Sequence, residues 1–332
     1  MRAWVIKEHG GPEVFEAVEL PAPKPGPGQV RITVAATSVN PVDYKIRSGA
    51  AEALCPPKPA ILHGDVSGVI DAVGEGVKDF AAGDKVYGCV GGYGTVQGVL
   101  ADDAIADVRL LAHAPKSIPL TDCAALPLVV ITAWEGLDKL GLHKDQQLLV
   151  HGGTGGVGHV IVQLAKARGA KVSTTVSSDE KSALAKQLGA DEIINYKDET
   201  IEQYVDRLTA GKGFDAVFDT VGGENINASV QACKLNGHVA CIQGRGAIDG
   251  GVLHARACSL HLVFMLIPIL HDLERQRHGT ILREAAALVD HGQLKPLIDD
   301  KRFTFDQLGE AHAHAESGKQ IGKVLVVHPD HA

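Results

Sequence analysis

The stretch LLVHGGTGGVGHVIVQLAKARG, residues 148–169, contains an apolar run, a glycine loop and a segment with apolar residues on one helical face. The loop fits G-x-G-x-x-G between a predicted strand and a predicted helix, which is the context that gives this motif weight. Glycines at this spacing allow a tight turn, close approach of the backbone to a pyrophosphate, and close packing of helix on strand. The helix N-terminus then offers free N–H groups to the phosphates. The alternative is a glycine-rich turn without a ligand.

The alternation of predicted strands and helices around this loop favours a phosphate-binding loop over a turn without a ligand. From about residue 126 to residue 266, apolar runs alternate with stretches of helical periodicity, which is typical of a parallel sheet with crossover helices. The predicted strands are 148–150, 171–176, 192–196, 216–221, 238–243 and 259–266. Glycine is expected to end helices at Arg168-Gly169, Leu188-Gly189 and Asn236-Gly237, because a C-terminal cap adopts positive φ.

The regions on either side of this part have a different pattern. PAPKPGPG (21–28) is a turn-rich lead into QVRITVAA, where apolar and polar residues alternate with the period of a half-buried strand. Further short apolar segments are separated by glycine turns, so an irregular β-rich domain is predicted. After residue 266 we expect one amphipathic helix near 280–292 and a closing strand at 323–327.

Composition limits the classes of protein that fit. A chain of 332 residues with 45% hydrophobic content suits about two globular domains. A net charge of −8 without basic clusters argues against binding to nucleic acid or to an anionic membrane. The N-terminus lacks the apolar core of a signal peptide, and the longest apolar run is too short to span a bilayer, so we expect a soluble, cytoplasmic protein.

Cysteine and histidine do not indicate a metal site. The six cysteines are far apart and never form C-x-x-C, which argues against a zinc module and a disulfide framework and suggests reduced core residues. Among the sixteen histidines, His312, His314, His328 and His331 invite a metal interpretation, but their spacing suits no known ligand pattern. We expect them on the solvated surface.

The end of the second strand indicates which cofactor the loop would take. In KVSTTVSSDEK (171–181), the place where an NAD site carries a carboxylate for the ribose holds Ser177 and Ser178. Small hydroxyls and the nearby Lys181 would accept a 2′-phosphate that an acid would repel, so NADP is favoured over NAD. Alternatively, Asp179 and Glu180 simply charge the first turn of the next helix.

With the loop placed, the whole chain resembles the medium-chain dehydrogenase/reductase superfamily, in particular its zinc-independent quinone oxidoreductase branch, which includes zeta-crystallin. The matching segments include SVNPVDYKIRSG (38–49), HGDVSGVIDAVGEGV (63–77), AAGDKVYG (81–88) and FDAVFDTVGG (214–223). The resemblance implies an α/β fold with two parts. A doubly wound Rossmann NADP-binding domain is expected at 124–266, and a GroES-like β-rich catalytic domain at 1–123 and 267–332.

The resemblance also implies that no catalytic metal is present. Zinc-containing relatives have a cysteine where this chain has Asn40, and Gly-His-Glu where it has His63-Gly64-Asp65. His63 falls beside the ligand position, and we interpret it as a turn residue.

The branch's NADPH contacts carry over to particular positions of this sequence. Those near the nicotinamide are expected to be Pro41, Val42, Asp43, Thr132, Ile242, Gln243 and Gly244. Those at the pyrophosphate are expected to be Gly153, Gly155, Gly156, Val157 and Gly158. Those around the 2′-phosphate are expected to be Ser177, Lys181, Tyr196 and Lys319.

The expected activity is transfer of hydride from NADPH to a quinone or another electron-poor acceptor, because without a Lewis acid nothing stabilises an alkoxide. Asn40 is predicted to hold the acceptor oxygen or the nicotinamide, and Lys45 to offer charge to a developing oxyanion. Lys45 stands where related reductases often have tyrosine, and a solvated lysine beside the cleft is the alternative.

Two rival functions stay open at this point. The first is an enoyl-thioester or alkenal double-bond reductase with the same cofactor. The second is a non-catalytic NADPH-binding protein, such as a sensor, an RNA-binding accessory or a structural component. For a reductase the partner would be a small electrophilic molecule, with no nucleic acid or membrane expected. A homodimer joined through the last Rossmann strand, 259–266, is expected because an unpaired apolar edge invites aggregation.

Overall fold

The computed structural model describes residues 1–331 and divides into two compact units. One unit comprises Met1–Leu128 and the chain from Leu266 onward, and the other is Val129–Met265. Helix α3, Pro127–Leu140, begins at the boundary between them.

The unit Val129–Met265 contains a six-stranded sheet in which every neighbouring pair of strands is parallel. Its strands are β9 (Gln147–His151), β10 (Lys171–Val176), β11 (Glu192–Asn195), β12 (Phe214–Asp219), β13 (Cys233–Cys241) and β14 (Ser259–Leu262). The order is β11-β10-β9-β12-β13-β14, so the winding direction reverses between β9 and β12. This is a doubly wound sheet with a switch point beside the glycine loop, and it confirms the predicted fold class.

Helices connect consecutive strands of this sheet. They are α4 (Gly158–Ala167), α5 (Asp179–Gln187), α6 (Ile201–Thr209), α7 (Asn225–Ala232) and α8 (Gly250–Arg256). Central strands carry near-continuous apolar runs because helices cover both faces of such a sheet. Leu149 on β9 and Val217 on β12 are fully buried and pair in register, and each such side chain stabilises the fold by about 1.5–3 kcal/mol.

Two details of this unit differ from the sequence predictions. Gly169 and Gly189 end helices with φ of 81° and 98°, as predicted, but Asn236-Gly237 lies within β13. There Asn236 has φ of 58°, and the register between β12 and β13 shifts, so the residues form a strand irregularity and not a helix end. The last strand is also shorter than predicted, since β14 ends at Leu262 and a proline-containing helix follows.

The other unit is β-rich, as predicted, and holds two sheets. Its strands are β1 (Arg2–Ile6), β2 (Phe15–Glu19), β3 (Gln29–Val39), β4 (Ala60–Ile61), β5 (Asp65–Val73), β6 (Lys85–Cys89), β7 (Asp103–Asp107), β8 (Leu111–His113), β15 (Ile298–Thr304) and β16 (Lys323–Val327). A seven-stranded sheet has the order β15-β16-β3-β5-β6-β8, with β7 paired to β3, and a three-stranded sheet has the order β2-β1-β4. The C-terminal strand β16 therefore packs beside β3, near the start of the chain.

Short helices surround these sheets. They are α1 (Pro41–Arg47), α2 (Leu120–Cys123), α9 (Ile267–His271), α10 (Gln276–Asp290) and α11 (Leu308–Glu316), with 3₁₀ turns at Pro12–Val14, Glu52–Leu54, Val108–Leu110, Phe305–Gln307 and Pro329–His331. The predicted amphipathic helix is α10. Helix α11 was not predicted, because its apolar face is made largely of alanine and gives little periodic signal. Within residues 1–331, no helix is long and apolar enough to cross a membrane.

Candidate functional site

The glycine loop joins β9 to α4 at the carboxyl edge of the parallel sheet. The Gly155 N–H donates to the Gly152 carbonyl oxygen at 3.0 Å, and the His159 N–H donates to the Gly155 carbonyl oxygen at 3.1 Å. The chain therefore makes helix-like turns from Gly155 into α4, which begins at Gly158. N–H groups in the first turn of a helix have no acceptor within it, and the macrodipole favours an anion there.

The glycines of the loop are required for two different reasons. A methyl group at Gly153 would lie 2.1 Å from Thr174 Oγ1, and one at Gly158 would lie 2.0 Å from the Gly152 carbonyl oxygen. Gly155 is exposed, and a methyl group there would meet nothing closer than that carbonyl oxygen at 3.3 Å. Packing within this unit thus requires glycine at the first two positions, whereas at Gly155 a methyl group would need a shift of only a few tenths of an ångström. Bare backbone at Gly155 fits a ligand such as a pyrophosphate that must approach closely.

Two threonines of β10 hold the first half of the loop. Thr174 Oγ1 accepts the Gly153 N–H at 3.0 Å and donates to the Val150 carbonyl oxygen at 2.8 Å. Thr175 Oγ1 accepts the Gly152 N–H at 3.1 Å. These bonds satisfy the loop amides near the strand, and the Gly155 N–H is satisfied within the loop, so the amides of Gly156, Val157 and Gly158 are the ones left for a ligand.

The switch point between β9 and β12 has unused hydrogen-bonding capacity. Asp219 is fully buried, and its Oδ1 accepts the N–H groups of Val221 and Gly222 at 2.8 and 2.9 Å. Its Oδ2, and Nε2 of His151 on the neighbouring strand, have no partner within residues 1–331. Burial lowers the pKa of His151 to about 4, so its ring is neutral at pH 7. Buried polar atoms without partners are rare, and in sheets of this type ligands bind at the switch point.

The end of β10 is free of acid, as the sequence predicts. Ser177 follows the strand and is half-buried, and Ser178 caps α5 by accepting the Lys181 N–H at 3.4 Å. Tyr196 follows the neighbouring strand, donates its N–H to the Val176 carbonyl oxygen at 3.3 Å, and is 57% exposed. Residues after β10 and β11 thus converge at one corner of the sheet, and the Lys181 side chain has no ion-pair partner in the part of the chain that the structure describes.

The other predicted contacts of this unit lie on the expected elements. Ile242 and Gln243 are half-buried and Gly244 is exposed, all three directly after β13 and hence at the edge where the loop lies. Thr132 is buried in α3. Gly156 and Val157 are half-buried in the loop. Their contacts with a cofactor stay predictions.

In the other unit, the predicted site residues surround the first turn of α1. Asn40 precedes the helix, and its backbone N–H donates to Asp43 Oδ2 at 2.7 Å, which is one half of a capping box. Pro41 occupies the first helical position, where its missing N–H costs nothing, and it is exposed, while Val42 is half-buried. Asp43 is fully buried and accepts the Tyr93 hydroxyl at 3.2 Å.

A buried lysine that the sequence analysis did not consider completes this cluster. Lys323, at the start of β16, is 3% exposed, and its ammonium donates to Asn40 Oδ1 and to the Val39 carbonyl oxygen. Asn40 Nδ2 in turn donates to Asp65 Oδ2 at 2.8 Å, and the lysine nitrogen lies 3.7 Å from that carboxylate. We call Asn40, Asp43, Asp65 and Lys323 the polar cluster.

Asp65 is the residue that ties the polar cluster to its surroundings. Its Oδ2 also accepts the Ser38 hydroxyl at 2.8 Å, and its Oδ1 accepts the Leu128 N–H at 2.8 Å. Each carboxylate oxygen thus has at least one hydrogen bond, which offsets part of the cost of burying the charge.

The polar cluster contains one cation and two carboxyl groups, and burial shifts their protonation. Burial raises the pKa of Asp43 to about 7, with a further rise from Asp65 and opposing effects from the Asn40 N–H, Lys323 and Tyr93. Burial lowers the pKa of Lys323, and the nearby carboxylates oppose that shift. Asn40 is 1% exposed, and both the oxygen and the nitrogen of its amide are hydrogen-bonded within the polar cluster. Its predicted contact with the oxygen of a hydride acceptor therefore finds no support here and stays a prediction.

Next to the polar cluster, two histidines form a buried pair, which corrects the expectation that His312 is on the surface. Thr37 Oγ1 donates to the Asp65 carbonyl oxygen at 2.6 Å and therefore accepts from His63 Nδ1 at 3.2 Å. His63 Nε2 is then the acceptor for His312 Nε2 at 2.8 Å. Burial lowers the pKa of His63 to about 3, and that of His312 falls as well, so both rings are neutral.

The other C-terminal histidines vary in exposure. His328 is also buried, against expectation, and its Nε2 lies 3.0 Å from Asp102 Oδ1. His314 is half-buried and pairs with Asp299 at 2.9 Å, whereas His331 is exposed as predicted. The sequence pattern failed here because α11 packs one face, which includes His312, into the core, and because His328 directly follows β16, a strand whose five residues are all buried.

The two other predicted lysines lie nearer the surface. Lys45 is half-buried in α1, and Lys319 is exposed in the connection before β16. Their contacts with oxyanion and phosphate stay predictions.

No three His, Cys, Asp or Glu side chains within residues 1–331 are grouped so that they could hold a metal ion. His63 has φ of 65° in the connection between β4 and β5, and its ring engages Thr37 and His312. The six cysteines form no disulfide, and four of them are buried.

Comparisons with known proteins agree with this geometry. Two family models match, the alcohol dehydrogenase GroES-like domain over residues 26–116 and the zinc-binding dehydrogenase family over residues 156–261. A 2-methylene-furan-3-one reductase of Solanum lycopersicum is 35% identical over 99% of this chain and 79% of its own length. An NADPH-dependent alkenal/one oxidoreductase of Arabidopsis thaliana chloroplasts is 33% identical over 98% of this chain and 79% of its own length.

Solved structures are similar over nearly the full length. An alcohol dehydrogenase superfamily protein from Novosphingobium aromaticivorans has a TM-score of 0.94 and 38% identity, covering 98% of this chain and 99% of its own. The Escherichia coli quinone oxidoreductase complexed with NADPH has a TM-score of 0.84 and 28% identity, covering 98% and 100%. The fold and the glycine loop are thus those of an α/β dinucleotide-binding protein with an added β-rich unit. The chain belongs to the medium-chain dehydrogenase/reductase superfamily, among its quinone oxidoreductases and alkenal reductases.

Proposed function

We propose that this chain is an NADPH-dependent reductase that passes hydride to an electron-poor acceptor, either a quinone or a double bond conjugated to a carbonyl group. The observation that carries the proposal is the bare, exposed backbone of Gly155 just before α4, where a methyl group would meet only the Gly152 carbonyl oxygen, at a slightly short 3.3 Å. The names of its relatives, an NADPH-dependent alkenal/one oxidoreductase and a quinone oxidoreductase with NADPH bound, support the same reaction class.

Each part of the cofactor has candidate residues in the chain. The turn Gly155 to Gly158 holds the pyrophosphate at the helix N-terminus, through the amides of Gly156, Val157 and Gly158, since the Gly155 N–H already donates to the Gly152 carbonyl oxygen. Lys181 and Tyr196 surround the 2′-phosphate, Ser177 contributes by not being an acid, and Lys319 adds a second cation. When bound, NADPH supplies the hydride, so the protein needs to position the acceptor and exclude water.

The reaction is proposed to be independent of zinc. In the polar cluster the position that is cysteine in zinc-containing relatives is Asn40, whose amide oxygen accepts from Lys323. A lysine ammonium beside Asp65 already supplies the local positive charge, and a divalent cation placed there would meet like-charge repulsion. Lys45 is proposed to stabilise negative charge on the acceptor oxygen, and Asn40 to act by fixing the first turn of α1.

Reduction of a conjugated double bond is the second candidate, favoured by the names of two relatives, a 2-methylene-furan-3-one reductase and an NADPH-dependent alkenal/one oxidoreductase. Steady-state oxidation of NADPH should be measured with a simple quinone, a 2-alkenal, a cyclic enone and a crotonyl thioester. A kcat/KM for the quinone that exceeds the others supports quinone reduction, and the reverse order supports the alkenal reductase. NADPH binding without turnover of any acceptor supports the non-catalytic class instead.

The domain roles and the assembly belong to the same proposal. The Rossmann NADP-binding domain is assigned to 124–266 and the GroES-like catalytic domain to 1–123 and 267–332. A reducing compartment such as the cytoplasm suits six cysteines without a disulfide.

A homodimer through the edge of β14 is proposed, because Leu262 and Phe264 are 51% and 46% exposed at that edge. Leu262→Asp should shift the molecular mass in light scattering from dimer to monomer. Leu235→Asp is the matched control, since Leu235 is a leucine of β13 that is 62% exposed. An unchanged dimer in the first variant would place the interface elsewhere.

A further inference from the structure

Lys323 is a buried cation of the β-rich unit, 3% exposed, whose ion pair with Asp65 is longer than a hydrogen bond. Its nitrogen lies 3.7 Å from Asp65, beyond hydrogen-bond length, and its hydrogen bonds go to the Asn40 amide oxygen and the Val39 carbonyl oxygen. Burying a lysine is costly, and a lysine that served only to neutralise Asp65 would be expected to bond to it directly. The geometry instead inserts the Asn40 amide between the two charges.

This arrangement fixes which way the Asn40 amide points. The oxygen faces the ammonium and the nitrogen faces the carboxylate, at 2.8 Å from Asp65 Oδ2. A flipped amide would place NH₂ against NH₃⁺ and oxygen against carboxylate, and would lose both bonds. Asn40 also starts α1 through its backbone bond to Asp43, so the same residue transmits the lock to the first helical turn.

We propose that Lys323 is a positioning residue of the reductase site, whose buried ammonium acts with Asp65 to lock the Asn40 amide and the first turn of α1. The proposal rests on the proposed function in one respect, namely the expectation from the family resemblance that Asn40 and residues 41–43 lie near the nicotinamide. The link joins residues 283 positions apart in the sequence, from the C-terminal strand to the start of α1.

The competing explanation is that Lys323 only neutralises the buried charge of Asp65. A double variant separates this explanation from the positioning role. Lys323→Met removes the cation at similar volume and leaves Asp65 as an uncompensated buried carboxylate. Lys323→Met combined with Asp65→Asn removes both charges. Lys301→Met is the matched control, because Lys301 is an exposed lysine on the neighbouring strand β15.

Three quantities are measured in each protein: the Tm, the dissociation constant of NADPH by fluorescence, and kcat with the best acceptor. Lys323→Met is expected to lower the Tm and to lower kcat at least about tenfold, since small misplacements at a reacting centre are costly. NADPH affinity should stay within about threefold, because glycine-loop and phosphate contacts dominate it. In the double variant the Tm should recover while kcat stays low, because no charged pair orients the amide.

Recovery of kcat together with the Tm in the double variant would overturn the proposal, since charge balance would then explain both. Retention of parental kcat in Lys323→Met would overturn it as well. Lys301→Met should match the parent in all three quantities.

A second measurement separates this proposal from the reductase activity itself. The chain has only five asparagines, so selective ¹⁵N-asparagine labelling gives a resolvable set of side-chain amides, with Asn40 assigned by its loss in Asn40→Ser. Its amide hydrogens should exchange slowly in the parent and rapidly in both Lys323 variants. A parent protein that turns over no acceptor would refute the proposed function. The exchange rate would still show whether Lys323 holds the Asn40 amide in place. Unchanged slow exchange in both variants would refute the lock.

Discussion

Replacing Lys181 by alanine should weaken NADPH binding and leave NADH binding unchanged. A charge-assisted hydrogen bond to a phosphate contributes about 1.5–3 kcal/mol, which corresponds to about 10- to 150-fold in affinity. Lys181 is half-buried, so solvent screens its charge only in part. Asp179 and Glu180 beside it are exposed acids, and they offset part of that charge. We therefore expect the lower part of that range, about 10- to 40-fold.

Dissociation constants for both cofactors are measured by fluorescence titration at fixed salt. Lys186→Ala is the control, since it removes a lysine from the last turn of the same helix, away from the strand end. Ser177→Asp should reverse the preference, because a carboxylate repels the phosphate and accepts ribose hydroxyls. Equal loss of NADPH and NADH affinity in Lys181→Ala, or equal affinities in the parent, would refute the assignment of this corner to the 2′-phosphate.

The remaining predictions concern the loop, pH and metal. Gly155→Ala should keep the parental Tm and weaken NADPH binding at least about tenfold. Gly158→Ala should lower the Tm, because its methyl group would lie 2.0 Å from a carbonyl oxygen. Parental NADPH affinity in Gly155→Ala would contradict the role of this loop in binding the pyrophosphate. Folding lowers the pKa of the buried His63 to about 3 and that of His151 to about 4. Below pH 6.5 these two side chains bind protons in the unfolded state and must lose them to fold, so the Tm should rise between about pH 4 and 6.5. Asp43, with its pKa raised to about 7, opposes that rise because the folded state holds its proton longer, so Asp43→Asn should steepen it; an unchanged slope would show that folding does not raise the pKa of Asp43. Elemental analysis should find well under one zinc per chain, and a chelator should leave NADPH oxidation unchanged; stoichiometric zinc with chelator-sensitive activity would contradict the zinc-independent mechanism.

Local features of the sequence predicted much of the nucleotide-binding unit. Its strands, its glycine loop and the acid-free end of β10 are short-range patterns, in which each residue's role depends on neighbours a few positions away. The helix end predicted at Asn236-Gly237 was wrong, because positive φ also suits a strand irregularity, and here Asn236 adopts it within β13.

The polar cluster could not be predicted in the same way. Lys323 begins a strand of apolar residues and looks like an ordinary boundary lysine until β16 is paired with β3, which places it beside Asn40. His312 was misjudged for the same reason, since only tertiary packing brings it against His63. A lysine opening an otherwise buried strand is the one signal that would have drawn attention to this site.

Transfer of deuterium from (4-²H)NADPH to the acceptor tests the central claim most directly. The protein is incubated with each stereospecifically labelled cofactor and with an enone or a quinone, and the products are examined by mass spectrometry. We predict that one of the two labelled cofactors loses its deuterium on oxidation, and that with the enone this deuterium appears at the β-carbon. With the quinone the transfer is read from the oxidised cofactor, because deuterium on a hydroquinone oxygen exchanges with water. NADPH binding without deuterium transfer to any acceptor would contradict the assignment of this chain as a reductase.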